Sequence, residues 1–211
     1  MISWTPSTMV LFRSMRSEFH PHLAVLDLET LAKASNSVIL SLGMTVTKYT
    51  DKDATFKSLL AGGLYLKFDI KQQLAMKRTT EKSTVAWWRE QDPVARKVLN
   101  PSPSDVSVLD LPMLMGEYFD DIGVDIKKVD FYDRNSFDMS KLQDLFENNL
   151  DTKVTWDYKH VFEIATMLRY QGYDRYAGMH VSDVEGAVYH NALHDAAVDH
   201  LRILKVLHAP E

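Results

Sequence analysis

The chain has no cysteine. That excludes a disulfide framework and thiolate chemistry, and it fits a reducing compartment. No apolar run approaches the ~20 residues that a membrane span needs. Near the start, Met9-Val10-Leu11-Phe12 is too short for the core of a signal peptide. A cytoplasmic location with no membrane partner is the expectation. Glycine and proline are sparse, 8 and 7 of 211 residues, and residues 23 to 207 hold no Pro-rich linker, repeat or low-complexity tract. A basic surplus is also missing: 24 Lys and Arg face 29 Asp and Glu, for a formal net charge of -5. This argues against a protein that coats nucleic acid through a general positive field. It leaves room for an enzyme that grips nucleic acid locally, because clustered catalytic acids also make the total negative.

What is present is a length sufficient for one substantial core, with 45% hydrophobic and 25% charged residues. The stretch Leu23-Ala24-Val25-Leu26-Asp27-Leu28-Glu29-Thr30 reads as a short apolar strand carrying two acids. Side chains alternate along a strand, so Asp27 and Glu29 share a face. Either the strand end reaches solvent there, or the pair needs compensation by a bound cation.

Residues 1 to 22 show no periodicity and read as an arm ahead of one domain spanning 23 to 211. Val38 to Val46 and Leu64 to Phe68 read as the second and third strands. With no helix evident between them, the expectation is an antiparallel meander. Lys67, Lys71, Lys77, Arg78 and Lys82 form the best local candidate for phosphate contacts. Ser83 to Glu90 reads as a helix capped by Ser83, and Asp92-Pro93 as a second helix start. Trp87 and Trp88 diverge by about 100° on a helix, so one is expected in the core, and the other either stacks on a base or packs as a lid, with packing favoured for each taken singly. Trp88 and Lys82 are carried forward as candidate nucleic-acid contacts.

Asp105 to Ile122 reads as a longer helix, Lys128 to Tyr132 as a strand, and Ser136 as the cap of the next helix. Asp138, Leu142, Leu145 and Phe146 fall on one stripe of that helix, which puts an acid on its core-facing side. Val154 to Trp156 is the expected final strand, followed by helix from about Phe162 to Arg169 and a polar loop over 171 to 186. The last helix, Asn191 to Leu207, leaves His190 in the preceding loop and Asp195 in an early turn. The order of elements argues for an α/β domain with a mixed sheet.

An Asp-x-Glu on the first strand, an Asp at a helix start and His190-x-x-x-x-Asp195 together resemble the DEDD superfamily of 3′→5′ exonucleases, in its histidine subtype. Lys82-Ser83-Thr84-Val85-Ala86-Trp87-Trp88-Arg89, Pro93-Val94-Ala95-Arg96-Lys97, Ser136-Phe137-Asp138 and His190-Asn191-Ala192-Leu193-His194-Asp195 are similar to the T-even phage exonuclease A group and related bacterial exoribonucleases. The resemblance covers roughly residues 23 to 207. It implies a ribonuclease-H-like fold, with three antiparallel strands followed by parallel strands and flanking helices. It also implies two divalent ions, Mg2+ or Mn2+. Asp27, Glu29 and Asp195 would hold one ion, Asp27 would bridge to the second, and Asp138 would reach that one directly or through water. His190 would be the general base. The partner would be a single-stranded nucleic acid, with DNA favoured over RNA.

The chemistry suits these residue types without the family. Magnesium and manganese prefer carboxylate oxygen, and histidine accepts protons near neutral pH. Backbone groups around Leu28, Glu29 and Thr30 are candidates to read a terminal 3′-hydroxyl. Phe137 is either a wedge under the terminal base or core. His160 stands where relatives often carry an acid, and Asp133 is assigned no role. His190 and His194 have zinc-like spacing, but the metalloprotease motif requires Glu at 191, where Asn stands. A non-catalytic binding module on the same fold is the competing class. All five motif positions are intact, which disfavours it.

Overall fold

A computed structural model describes residues 20–209. Of the expected arm, residues 1–19 therefore lie outside the described residues. Strand β1 (His22–Thr30) runs through the middle of a five-stranded sheet. It pairs antiparallel with β2 (Ile39–Lys48), which pairs antiparallel with β3 (Leu64–Lys67). On its other side it pairs parallel with β4 (Val129–Asp133), and β4 pairs parallel with β5 (Val161–Glu163). The expected change from antiparallel to parallel pairing is present.

Period-two alternation splits β1 between two cores. Ala24, Leu26 and Leu28 join Val129, Phe131, Leu142 and Phe146, and Phe119 from helix α4 (Leu111–Asp121). Leu23 and Val25 join Tyr132, together with Ile164 and Leu168 from helix α6 (Ile164–Tyr170) and Ala196 and Ile203 from helix α7 (Ala192–Leu207). Asp27 and Glu29 continue this second face, toward the N-terminus of α7.

Gly43 sets how closely α7 approaches. It lies opposite Asp27 in the β1–β2 register. A Cβ there would sit 2.1 Å from the backbone of both Ala192 and Leu193. Only a residue without a side chain lets the helix start rest on the strand.

Several local expectations differ from the structure. Helix α1 (Phe56–Gly62) interrupts the meander, with a reciprocal Thr55–Ser58 cap. Helix α2 (Ile70–Ala75) follows β3, capped by Asp69. Helix α3 (Lys82–Glu90) starts one residue before Ser83, which is therefore not its cap. The Asp92-Pro93 start leads into a short 3-10 turn over Ala95–Leu99. The helix expected from Asp105 begins as α at Leu111, after a 3-10 turn. Val154 to Trp156 is not a strand: Trp156 packs into the core against Phe131 and Phe146, and the edge strand forms later at Val161–Glu163.

Candidate active site

Three elements deliver the acids to one cleft of about 450 Å3. Asp27 and Glu29 stand on β1, and its backbone at Leu28 forms part of the wall. Asp138 comes from the first turn of helix α5 (Phe137–Asp144). Asp195 comes from the first turn of α7, with His190 just ahead of it.

Each helix start has its own anchor. Asn191 accepts from the His194 N–H at 3.2 Å and caps α7. The turn before it is left-handed at His190 (φ 59), and the His190 N–H donates to Asp195 Oδ2 at 2.8 Å. The same turn that presents the imidazole therefore orients the acid. On α5, Ser136 occupies the cap position but makes no side-chain cap bond. Asp133 caps the helix in its place, its Oδ2 accepting from the N–H groups of Asp138 and Met139, each at 3.0 Å. Asp133, given no role from sequence, thus positions Asp138. The signal was present as an acid at the end of a strand, but the nearer Ser136 obscured it.

The electrostatics are those of an unbalanced acid cluster. Burial, followed by repulsion from Asp138, Glu29 and Asp195, raises the Asp27 carboxyl well above its usual range. Burial and the charges of Asp195 and Asp138 do the same to Glu29. Asp138 is 3% exposed and likewise raised by burial and by Asp133, and its Oδ1 has no hydrogen-bond partner. Asp195 is pushed up to about 7 by burial, although the His190 N–H opposes the shift. Lys141 offers partial relief to Asp138, but its Nζ bonds to the Lys33 and Phe137 carbonyls and is itself pushed down to about 8 by burial. His190 Nδ1 lies 3.8 Å from Glu29 Oε1, and burial lowers its pKa. Glu29, His190 and Asp195 can present ligand atoms within 4.8 Å of one another.

The structure thus brings Asp27, Glu29, Asp138, His190 and Asp195 together, with Leu28 and Phe137 on the same walls. Trp88 is corrected. It is fully buried, packs with Leu31, Val38 and Leu40, and donates from Nε1 to the Thr30 carbonyl at 2.9 Å. It cannot stack on a base. Its neighbour Trp87 is 40% exposed, and its ring lies 4.7 Å from that of His190. Thr30 is also turned inward, with its hydroxyl donating to Ala32 O. Lys82 is exposed on α3, outside the cleft lining.

The basic stretch is not one phosphate surface. Arg78 is buried against Ser37 O, Asp144 and Asn149, and Lys67 pairs with Asp105. His160 pairs with Asp130 ahead of β5. His194 Nδ1 accepts from the Val188 N–H, which gives it a structural partner. Sequence reasoning missed Arg134, Tyr176 and Arg202, which also line the cleft.

Comparison with known proteins matches this geometry. A family model described as the 3'-5' exoribonuclease Rv2179c-like domain matches residues 22–206. The chain belongs to this family. It is a DEDD-type 3′→5′ exonuclease. The exonuclease is also 29% identical over 193 residues to an exodeoxyribonuclease of Enterobacteria phage T4, covering 83% of this chain and 84% of that protein. Among solved structures, the zinc-bound E. coli exonuclease I–single-stranded DNA complex superposes with TM-score 0.54 at 12% identity, covering 88% of this chain and 40% of that one. Exonuclease I in complex with the inhibitor CFAM gives TM-score 0.55 at 11% identity, covering 88% and 42%. These likenesses support the ribonuclease-H-like fold. The exonuclease spans about two fifths of the length of those chains.

Proposed function

We propose that this exonuclease removes nucleotides from the 3′ end of single-stranded DNA, using two divalent cations and His190 as general base. The observation that carries the reading is the set of four buried or half-buried carboxylates converging on one cleft, where Lys141, Arg134 and Arg202 offset their burial and mutual repulsion only in part. The orphaned Oδ1 of Asp138 is the clearest sign of a missing partner. An all-oxygen donor set fits hard ions such as Mg2+ or Mn2+. Asp27, Glu29, Asp138 and Asp195 would hold the ions. Bound there, the ions supply charge stabilisation to the phosphate and acidify water.

The chain's own groups supply the rest. His190 is neutral near pH 7, because burial lowers its pKa, and so is ready to accept a proton. The water oxygen bonds to phosphorus, its proton passes to the imidazole, and the bond to the departing 3′-oxygen breaks. That oxygen is protonated and a 5′-mononucleotide is released. Leu28, through its backbone, and the half-buried Phe137 ring line the cleft and would meet the terminal nucleotide. Trp87, rather than Trp88, is the stacking platform for a base. The DNA preference rests on the phage T4 relative named as an exodeoxyribonuclease. The family's exoribonuclease description favours RNA as the second reading.

The test is a gel assay on end-labelled single-stranded DNA and RNA of one sequence, in magnesium, manganese or chelator. A metal-dependent ladder advancing from the 3′ end, faster on DNA, is the expected result. Faster cleavage of RNA selects the second reading. No cleavage of either substrate by folded protein removes the proposal.

A further inference from the structure

A second group of ligand-type side chains lies at the opposite end of β1. Asp130 on β4 is in register with Leu23, four residues of strand from Asp27, or about 13 Å. Its carboxylate is fully buried, and its two oxygens have different surroundings. Oδ2 accepts from the Tyr49 hydroxyl at 2.8 Å and from the His20 N–H at 3.2 Å. Oδ1 faces two imidazoles, with His160 Nδ1 at 2.7 Å and His20 Nδ1 at 3.3 Å. The two rings stack, with centroids 3.7 Å apart and planes inclined by 23°. His20 Nδ1 is buried yet makes no hydrogen bond among the described residues.

We propose that His20, Asp130 and His160 form a zinc site, with ligand atoms His20 Nδ1, His160 Nδ1 and Asp130 Oδ1. A hydrogen-bonded pair of His160 and Asp130 explains one imidazole. It gives no hydrogen bond to the second imidazole, whose Nδ1 is held 3.3 Å from the same oxygen. Tetrahedral zinc with bonds of about 2.0–2.1 Å places neighbouring donors roughly 3.3 Å apart. The His20–Asp130 separation of 3.3 Å already has that value. For zinc to bind, the 2.7 Å His160 contact would widen by about 0.6 Å and the stacked rings would splay, because two imidazoles on one tetrahedral zinc hold their centroids about 5 Å apart. Tyr49 and the His20 backbone fix Oδ2, so that Oδ1 is the oxygen offered, as outer-shell donors do in metal sites.

Two imidazoles and one carboxylate suit zinc better than magnesium. Both histidine side chains keep 22% of their surface exposed, which provides an entry path and an open fourth position for water. Zinc bound here would fasten the residues before β1 to the β4–β5 edge. The site is separate from the acid cleft and does not depend on the function proposed for that cleft.

The test uses the full chain carrying Asp27→Asn and Asp195→Asn, so that the cleft does not compete for metal. Zinc per chain is measured by atomic emission after gel filtration, and Co2+ is added to read its visible absorption bands. One zinc per chain, tetrahedral cobalt bands and a raised Tm are expected. Adding His160→Gln should lower affinity at least about 100-fold. His20→Gln is the second variant, chosen because that imidazole makes no hydrogen bond through Nδ1 whose loss would unfold the protein. It should cause a similar loss with an unchanged circular dichroism spectrum. Failure of the folded double variant to retain zinc overturns the site, as does zinc binding that is unchanged by His20→Gln.

Discussion

Asp195 and Asp199 stand one turn apart on the same helix and line the same cleft, yet their surroundings are opposite. Asp199 is clasped by two guanidinium groups. Arg134 Nε donates to its Oδ2 at 2.7 Å, while Arg134 Nη2 and Arg202 Nη1 both reach Oδ1. Both arginines also lie against the Tyr176 ring. Among the described residues Asp195 makes no such ion pair. It accepts the His190 N–H, Asp199 repels it, Arg134 and Arg202 offset its burial only in part, and its own charge raises Asp27 and Glu29. A carboxylate with a cation supplied by the fold is a structural group. One held half-buried against other acids is ready for a cation from solution. The difference between the two aspartates is what separates the wall of this cleft from its candidate metal site.

The largest expected effect comes from removing a carboxylate that lacks a partner. Asp27→Asn or Asp195→Asn should lower the cleavage rate by about 10³-fold or more, as loss of preorganised charge does. Steady-state assays checked by circular dichroism read this, and near-normal rates would erase the contrast with Asp199. His190→Ala should lower the rate about 10²–10⁴-fold while metal affinity changes little. An equal loss of metal affinity would make His190 a ligand. Gly43→Ala brings a methyl into the α7 backbone, so it should cost several kcal/mol, roughly 3 or more, in denaturant unfolding.

Asp199→Asn should act on stability instead, costing about 3 kcal/mol by leaving two guanidinium groups uncompensated. The dependence of the remaining folded protein on divalent metal should persist. The smallest effect is that of Trp87→Ala, expected to raise KM by about 5–30-fold through lost stacking, with kcat nearly unchanged. Trp88→Ala, by contrast, should cost about 3–5 kcal/mol of stability, because that ring is core.

Much of the candidate site was legible because its arrangement depends on short-range periodicity. Period two put Asp27 and Glu29 on one face. Helical spacing put Asp138 on a buried stripe, and the five-residue interval from His190 to Asp195 lies within a single turn and helix start. What was not legible depends on long-range packing. Nothing local distinguishes Trp87 from Trp88; the choice is made by Leu31, Val38 and Leu40 and by the Thr30 carbonyl. Asp133 caps α5 across a left-handed turn at Asn135 and Ser136, which sequence spacing does not reveal. The three-residue β5 has too little pattern to register, and Val154 to Trp156 offered a similar apolar run. Asp199 acquires its meaning from Arg134, 65 residues away.

The contrast between compensated and uncompensated acids also sets how stability should vary with pH. A carboxyl whose folded pKa is raised favours the folded state while protonated, and that contribution is lost as pH rises through the folded value. Asp195, raised from 3.8 to about 7, therefore erodes the stability of the metal-free protein from about pH 4 until it is fully ionised near pH 8, and Asp27, Glu29 and Asp138 act in the same direction. Buried His200, held between Thr45 and Thr47 and pushed down to about 3, acts the other way. Its contribution is present above its unfolded value of 6.5 and is lost as pH falls, so it leaves the window from 6.5 to 8 to the acids.

The most direct measurement is the Tm across that window, in chelator and in millimolar magnesium, for the natural chain and for Asp27→Asn. In chelator the natural chain should melt at progressively lower temperature as pH rises, with the variant above it. Magnesium should raise the Tm of the natural chain by roughly 5 °C or more near saturation, and the variant should respond far less. A natural chain whose Tm is flat across the window and unmoved by magnesium would contradict the assignment of these acids to a metal site.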